Sequence, residues 1–134
     1  MRTMIQFKPT SEQIEEVHEI LRYNFSDTEL DAFKNITQLA AKICGVEFSM
    51  INFLDAEKQY TKACFGIDIV ELPIEVSFCT YSMLEKDELV VSITSKDVRY
   101  QENPFVLGPP YVRFYAGINI VGKNKKYRYL VCFG

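Results

Sequence analysis

Arg113 stands among tyrosines in the segment Asn-Pro-Phe-Val-Leu-Gly-Pro-Pro-Tyr-Val-Arg-Phe-Tyr-Ala-Gly, residues 103–117. Read as a strand, its second half alternates. Tyr111, Arg113, Tyr115 and Gly117 share one side, and Val112, Phe114 and Ala116 the other. A guanidinium between phenols invites a ligand reading; the alternative is that the aromatics are core and Arg113 pairs with Asp97 or Glu75. The thiols suggest less. Cys44, Cys64, Cys79 and Cys132 are far apart, no Cys-x-x-Cys occurs, and His18 is the single histidine, so no zinc site is expected. Each cysteine reads as a small buried hydrophobe. Met50 and Met83 read as core, Asn52 as a hairpin amide satisfied by backbone, and His18 as solvated on a polar helix face.

The elements that must position these residues belong to one domain, since 134 residues bury one sizeable core but not two. A hydrophobic share of 48% beside 25% charged residues argues against disorder. The formal net charge of -3 gives no footprint for nucleic acid, and the run Lys123, Lys125, Lys126, Arg128 reads as a solvated hairpin tip. No targeting segment or membrane-length apolar run is visible, so a reduced cytoplasmic protein is expected.

Residues 1–8 read as an arm. Thr10-Ser11-Glu12-Gln13 has capping-box spacing, and Ile14, Val17 and Leu21 recur at helical intervals, predicting a helix to about Tyr23 whose narrow apolar stripe packs on its own domain or on a second copy. Ser26-Asp27-Thr28-Glu29 repeats the box. A broad apolar face of Leu30, Phe33, Ile36, Ala40 and Ile43 then runs to Gly45. Residues 48–54 and 59–65 predict a hairpin turning at Asp55-Ala56-Glu57-Lys58. Residues 67–76 read as a loop or lid without regular structure. A short helix capped by Ser77 and ending by Lys86, a strand over 88–93 and a helix starting at Thr94 follow, with Val98, Tyr100 and Phe105 as inward anchors. The Pro-rich residues 103–110 predict an ordered loop, 111–121 a strand, 122–126 a hairpin tip and 127–133 a last strand. This order is α+β with an antiparallel sheet.

The chain resembles the GAF domain family, sensory modules related in architecture to PAS domains. The resemblance runs from about Thr28 to Ile120. It rests on the ordered motifs Leu-Ala-Ala-Lys-Ile-Cys-Gly-Val (39–46), Phe-Leu-Asp-Ala-Glu-Lys-Gln (53–59), Lys-Ala-Cys-Phe-Gly-Ile (62–67), Val-Ser-Phe-Cys (76–79), Asp-Val-Arg-Tyr-Gln-Glu-Asn-Pro (97–104) and Arg-Phe-Tyr-Ala-Gly (113–117). It implies an amino-terminal arm and helix over 1–25 and a GAF domain over 26–134. The expected fold is a central antiparallel sheet with the amino-terminal helices on one face and loops plus short helices over a pocket on the other. Asn52, Phe65, Phe78, Cys79, Met83, Tyr100, Arg113 and Tyr115 are the residues expected to meet a ligand there.

The family also frames the chemistry. A covalent bilin is not expected at Cys79, because Thr80 follows where bilin-binding relatives commonly carry histidine. A cyclic nucleotide would need Arg113 for phosphate and Phe78, Tyr100 or Tyr115 as an aromatic wall. No cofactor is required by the sequence. Family members usually continue past the Arg-Phe-Tyr-Ala-Gly strand into a Gly-Thr-Leu-Cys-Val-like strand and a long helix. Tyr-Leu-Val-Cys-Phe-Gly (129–134) holds the strand position here, and a truncated or frameshifted end is expected. The function implied is a non-enzymatic sensory module, a homodimer in bacterial signalling, binding a small molecule or partner protein and serving a kinase or cyclic-di-nucleotide enzyme. The alternatives are a dimerisation scaffold without ligand and a thiol-dependent enzyme like the methionine sulfoxide reductases.

Overall fold

The computed structural model describes residues 9–82, 88–120 and 128–134. Helix α1 (Ser11–Arg22) opens on Thr10, whose side chain accepts from the Gln13 amide while the Gln13 side chain accepts from the Thr10 amide. Helix α2 (Asp27–Cys44) repeats that reciprocal cap with Ser26 and Glu29 and stops at Gly45 in a left-handed conformation, φ 68°. Both starts follow the spacing read from the sequence.

Among the described residues, six strands form one antiparallel sheet: β1 (Phe48–Leu54), β2 (Lys58–Phe65), β3 (Glu71–Pro73), β4 (Glu88–Val91), β5 (Tyr115–Asn119) and β6 (Arg128–Phe133). Their spatial order is β3-β2-β1-β6-β5-β4. The architecture is the expected α+β arrangement, and β6 lies at its centre between β1 and β5. Residues 1–8, the hairpin tip at 122–126 and Met83 lie outside the described residues.

The two faces of the sheet carry separate cores. One buries Val17, Ile51, Phe53 and Ala63 with Ile20, Leu21 and Phe33 from the helices. The stripe of α1 is therefore used within the chain. On α2 the buried positions are Thr37 and Ala41, not the larger aliphatics. Small side chains let the helix backbone approach β1 and β2, and Ile36, Leu39 and Ile43 are left 46%, 59% and 75% exposed. His18 is not simply solvated; its Nε2 lies 3.1 Å from Asp55 Oδ2, joining α1 to the β1–β2 turn.

On the other face, register fixes a row across the sheet: Cys64 opposite Met50, Met50 opposite Val131, Val131 opposite Gly117, Gly117 opposite Leu89. Because side chains alternate along each strand, the whole row faces the same way. Helices α3 (Cys79–Ser82) and α4 (Pro104–Leu107), with irregular segments, cover it.

Four local expectations change. Residues 67–76 are not wholly irregular: Glu71–Pro73 pairs with the edge of β2 and Ile74–Val76 forms a 3-10 turn. Proline is tolerated there because β3 is an edge strand. Thr94 opens only a 3-10 turn, Thr94–Lys96, and its hydroxyl donates to Val112 O at 2.6 Å rather than capping a helix; Val98 is exposed. Residues 104–107 make one helical turn, because Asn103 caps it through Phe105 N and Pro104 occupies a position whose N–H a helix does not use. The strand begins at Tyr115, not Tyr111. Tyr111 has φ 56°, and the amides of Arg113 and Phe114 both donate to Gly134 O. Two successive donors on one acceptor break the alternation, so Val112 and Tyr115 are buried while Tyr111 and Arg113 are exposed.

Candidate functional site

A cavity of about 30 Å³ lies between the sheet and its cover. Its floor is Met50 and Asn52 of β1, Gln59 of β2, Tyr115 of β5, and Val131 and Phe133 of β6. Ile67, Ile69, Leu72 and Val76 form one side of the roof, and Phe78, Cys79, Phe105, Pro110 and Val112 the other. Residues 67–76, read from the sequence as a loop or lid, and the Pro-rich residues 103–110 both contribute.

The polar groups of this lining are buried and, with one exception, engaged. A register shift in the β1–β2 pairing sets Thr61 opposite Asn52. The Thr61 hydroxyl donates to Asn52 Oδ1 at 2.9 Å, and Asn52 Nδ2 donates to Cys79 Sγ at 3.5 Å. The Tyr115 hydroxyl reaches Cys79 Sγ at 3.7 Å and Ser82 Oγ at 2.8 Å. Gly117 makes room for that phenol, since a Cβ there would meet both Tyr115 Oη and Ser82 Oγ. Ser77 Oγ accepts from Cys79 N at 3.1 Å and donates to Gln59 Oε1 at 2.6 Å. A separation of 2.6 Å suits an O–H···O bond and is shorter than the N–H···O range, which orients Oε1 rather than Nε2 toward Ser77. Gln59 Nε2 is then buried without a hydrogen-bond partner, while the residue is 1% exposed.

Among the described residues, none that lines the site carries a charge. Burial pushes the Cys79 thiol up, against opposing bonds from Asn52, Tyr115 and Ser77. Burial likewise pushes the phenols of Tyr100 and Tyr115 well above their usual range. A buried thiol without a cationic neighbour stays protonated and is a poor nucleophile.

Of the residues singled out by sequence, the fold brings Asn52, Phe78, Cys79 and Tyr115 together at the cavity. Tyr100 is one layer behind: it stacks on Phe78 with ring centroids 4.6 Å apart and donates to Phe78 O at 2.7 Å. Phe65 follows Cys64, whose side chain joins the cavity-side core, so alternation places Phe65 on the opposite face. Arg113 is exposed, and its guanidinium donates to the carbonyls of Val106 and Val112 at 2.9 and 3.0 Å. Its partner is thus backbone, neither Asp97 nor Glu75. Asp97 instead receives Arg99 through both carboxylate oxygens, at 2.9 and 2.8 Å. Sequence reading missed Gln59; its polarity within the otherwise strand-like residues 59–65 was the available signal.

Known structures share this fold. The GAF domain of an Acinetobacter phosphoenolpyruvate-protein phosphotransferase superposes with TM-score 0.60 at 16% identity, covering 93% of this chain and 78% of that one. The corresponding GAF domain from Coxiella burnetii gives TM-score 0.63 at 12% identity, covering 91% and 75%. The chain folds as a GAF domain. The same fold is carried by a free methionine-R-sulfoxide reductase from Thermoplasma acidophilum, TM-score 0.61 at 12% identity over 78% of this chain and 72% of that one. In sequence, the chain is 36% identical over 87 residues to a cyclic di-GMP phosphodiesterase of Pseudomonas aeruginosa, a match covering 65% of the chain but 15% of that protein. The chain thus matches only a small part of that relative's length. No family model matches it.

Proposed function

We propose that this GAF domain is a non-enzymatic regulatory module of bacterial signalling that receives a small molecule in the cavity above β1, β2, β5 and β6. The observation that carries the reading is Gln59 Nε2, a buried donor left unbonded beside a void. An unmet buried donor costs about 1–3 kcal/mol, and a core built only for stability has no reason to keep one. Ligand would shift residues 67–76 and 103–110 where they cover the sheet and bias helix packing toward an output. The likeness to a cyclic di-GMP phosphodiesterase supports a cyclic-di-nucleotide enzyme or a kinase as that output. The free cysteines support a reducing cytoplasm, and the protonated, buried Cys79 supports the absence of thiol catalysis.

The working unit in this reading is a homodimer. Ile36, Leu39 and Ile43 form one exposed stripe on α2, whose first turn carries Asp27 and Glu29 and whose last carries Lys42. Two copies set antiparallel bring each acidic end beside the partner's basic end. The small cavity volume favours a second reading, a dimerisation scaffold that binds no ligand. Native mass spectrometry of protein from its own cells separates them: a bound small molecule supports the receptor, and an unliganded dimer the scaffold.

A further inference from the structure

We propose that the ligand is a neutral, mostly apolar molecule carrying one hydrogen-bond acceptor, such as a carbonyl or ether oxygen, which Gln59 Nε2 receives. The inference rests on the cavity being the receptor site. Among the described residues, none that lines it is Asp, Glu, Lys, Arg or His. An anion there would be stripped of water with no counter-charge, which strongly disfavours it. Arg113 does not alter this, since it is exposed and held by two backbone carbonyls. A nucleotide therefore does not fit the chemistry of the lining.

Hydrogen-bonding capacity narrows the class further. Asn52 is engaged through both its oxygen and its nitrogen, and the Tyr115 hydroxyl by Ser82 and Cys79. Gln59 Oε1 is taken by Ser77. Among the described residues this leaves Gln59 Nε2 as the buried donor without a partner at the cavity. A single trapped water would be poorly served, because buried water typically needs two to four polar partners. A molecule with an apolar body and one acceptor matches both the aliphatic and aromatic walls and the lone donor. The void of about 30 Å³ admits few heavy atoms, so binding requires Ile67, Ile69 and Leu72 to retreat. They belong to a segment tied to β2 at its edge, through β3 and the bond from Thr61 N to Val70 O. Their retreat leaves the central strands paired.

The test uses cyclopentanone and its near-isostere methylenecyclopentane as probes, with 3′,5′-cyclic GMP as the anionic probe, on the full chain with labelled methyl groups. Shifts of the Ile67, Ile69, Leu72 and Val131 methyls report occupancy. With each affinity divided by the probe's own water-to-cyclohexane partition coefficient, cyclopentanone is expected to bind about tenfold tighter than the hydrocarbon. That preference should fall to about one in Gln59→Met. Equal corrected affinities in the wild-type protein would overturn the inference without reference to any variant. So would cyclic GMP shifting these methyls, or neither neutral probe doing so. A charged molecule found bound in protein from its own cells would overturn the ligand class while leaving the receptor reading intact.

Discussion

Replacing Ser77 by alanine should expose how much stability the Gln59 amide withholds. Ser77 Oγ caps Cys79 N and donates to Gln59 Oε1. Ser77→Ala removes the cap, worth about 1 kcal/mol, and leaves Oε1 buried and unpaired beside the already unpaired Nε2. Losing that partner costs about 1–3 kcal/mol more, so the single variant should lose roughly 3 kcal/mol. Adding Gln59→Met replaces both orphaned amide ends with an apolar chain of similar length. The second substitution should therefore return about 2 kcal/mol or more, because removing both partners of a buried bond can be nearly neutral. Urea unfolding of the wild type, both single variants and the double variant gives the coupling directly, provided the m-values agree. If Gln59→Met destabilises the Ser77→Ala background further, Gln59 is a packing residue whose amide is satisfied, and the reasoning fails.

Other outcomes follow from the same geometry. Burial raises the Asp55 carboxyl, but bonds from the Lys58 and Glu57 amides, His18 and Tyr60 outweigh it and hold it below the usual carboxylate range. Its contribution is therefore present above the unfolded value and lost as pH falls through the folded one. Acid unfolding should be steeper below about pH 4 in the wild type than in Asp55→Asn, and equal slopes would contradict this. Cys44 is exposed and Cys79 buried, so a thiol reagent should label Cys44 in the native protein and Cys79 only on unfolding, as mass mapping would report. Ile43→Lys places a charge on the outer stripe of α2 and should convert a dimer to monomer by light scattering, whereas an unchanged mass would remove that surface as the interface.

The helices and the β1–β2 hairpin were legible because their signals are local. Thr10 with Gln13 and Ser26 with Glu29 close capping boxes, and Asp55 Oδ1 accepts from the amides of Glu57 and Lys58 to make the turn. Which side of α2 is buried was not local. Leu30, Phe33, Ile36, Ala40 and Ile43 form an apolar face by periodicity, but the sheet demands small residues at closest approach, and Thr37 and Ala41 supply them. Strand β5 was misread at its start for a similar reason. Nothing in residues 111–114 discloses that Gly134 O would take two successive amides or that Tyr111 would take a positive φ, and with both in place Arg113 lies outside the site. Four of the site residues read from sequence, Asn52, Phe78, Cys79 and Tyr115, do converge on the cavity, since the ordered motifs carry the topology that gathers them. Gln59 escaped notice because its polarity within a strand was a weak signal, and the bond its amide lacks is visible only once the fold is known.

The most direct test of the receptor reading is a high-resolution crystal structure of protein taken from its own cells. The account predicts density for a small molecule with an acceptor atom at hydrogen-bonding distance from Gln59 Nε2, and Ile67, Ile69 and Leu72 displaced outward to hold it. A cavity that is empty, or that holds one water bonded to that nitrogen, would contradict it.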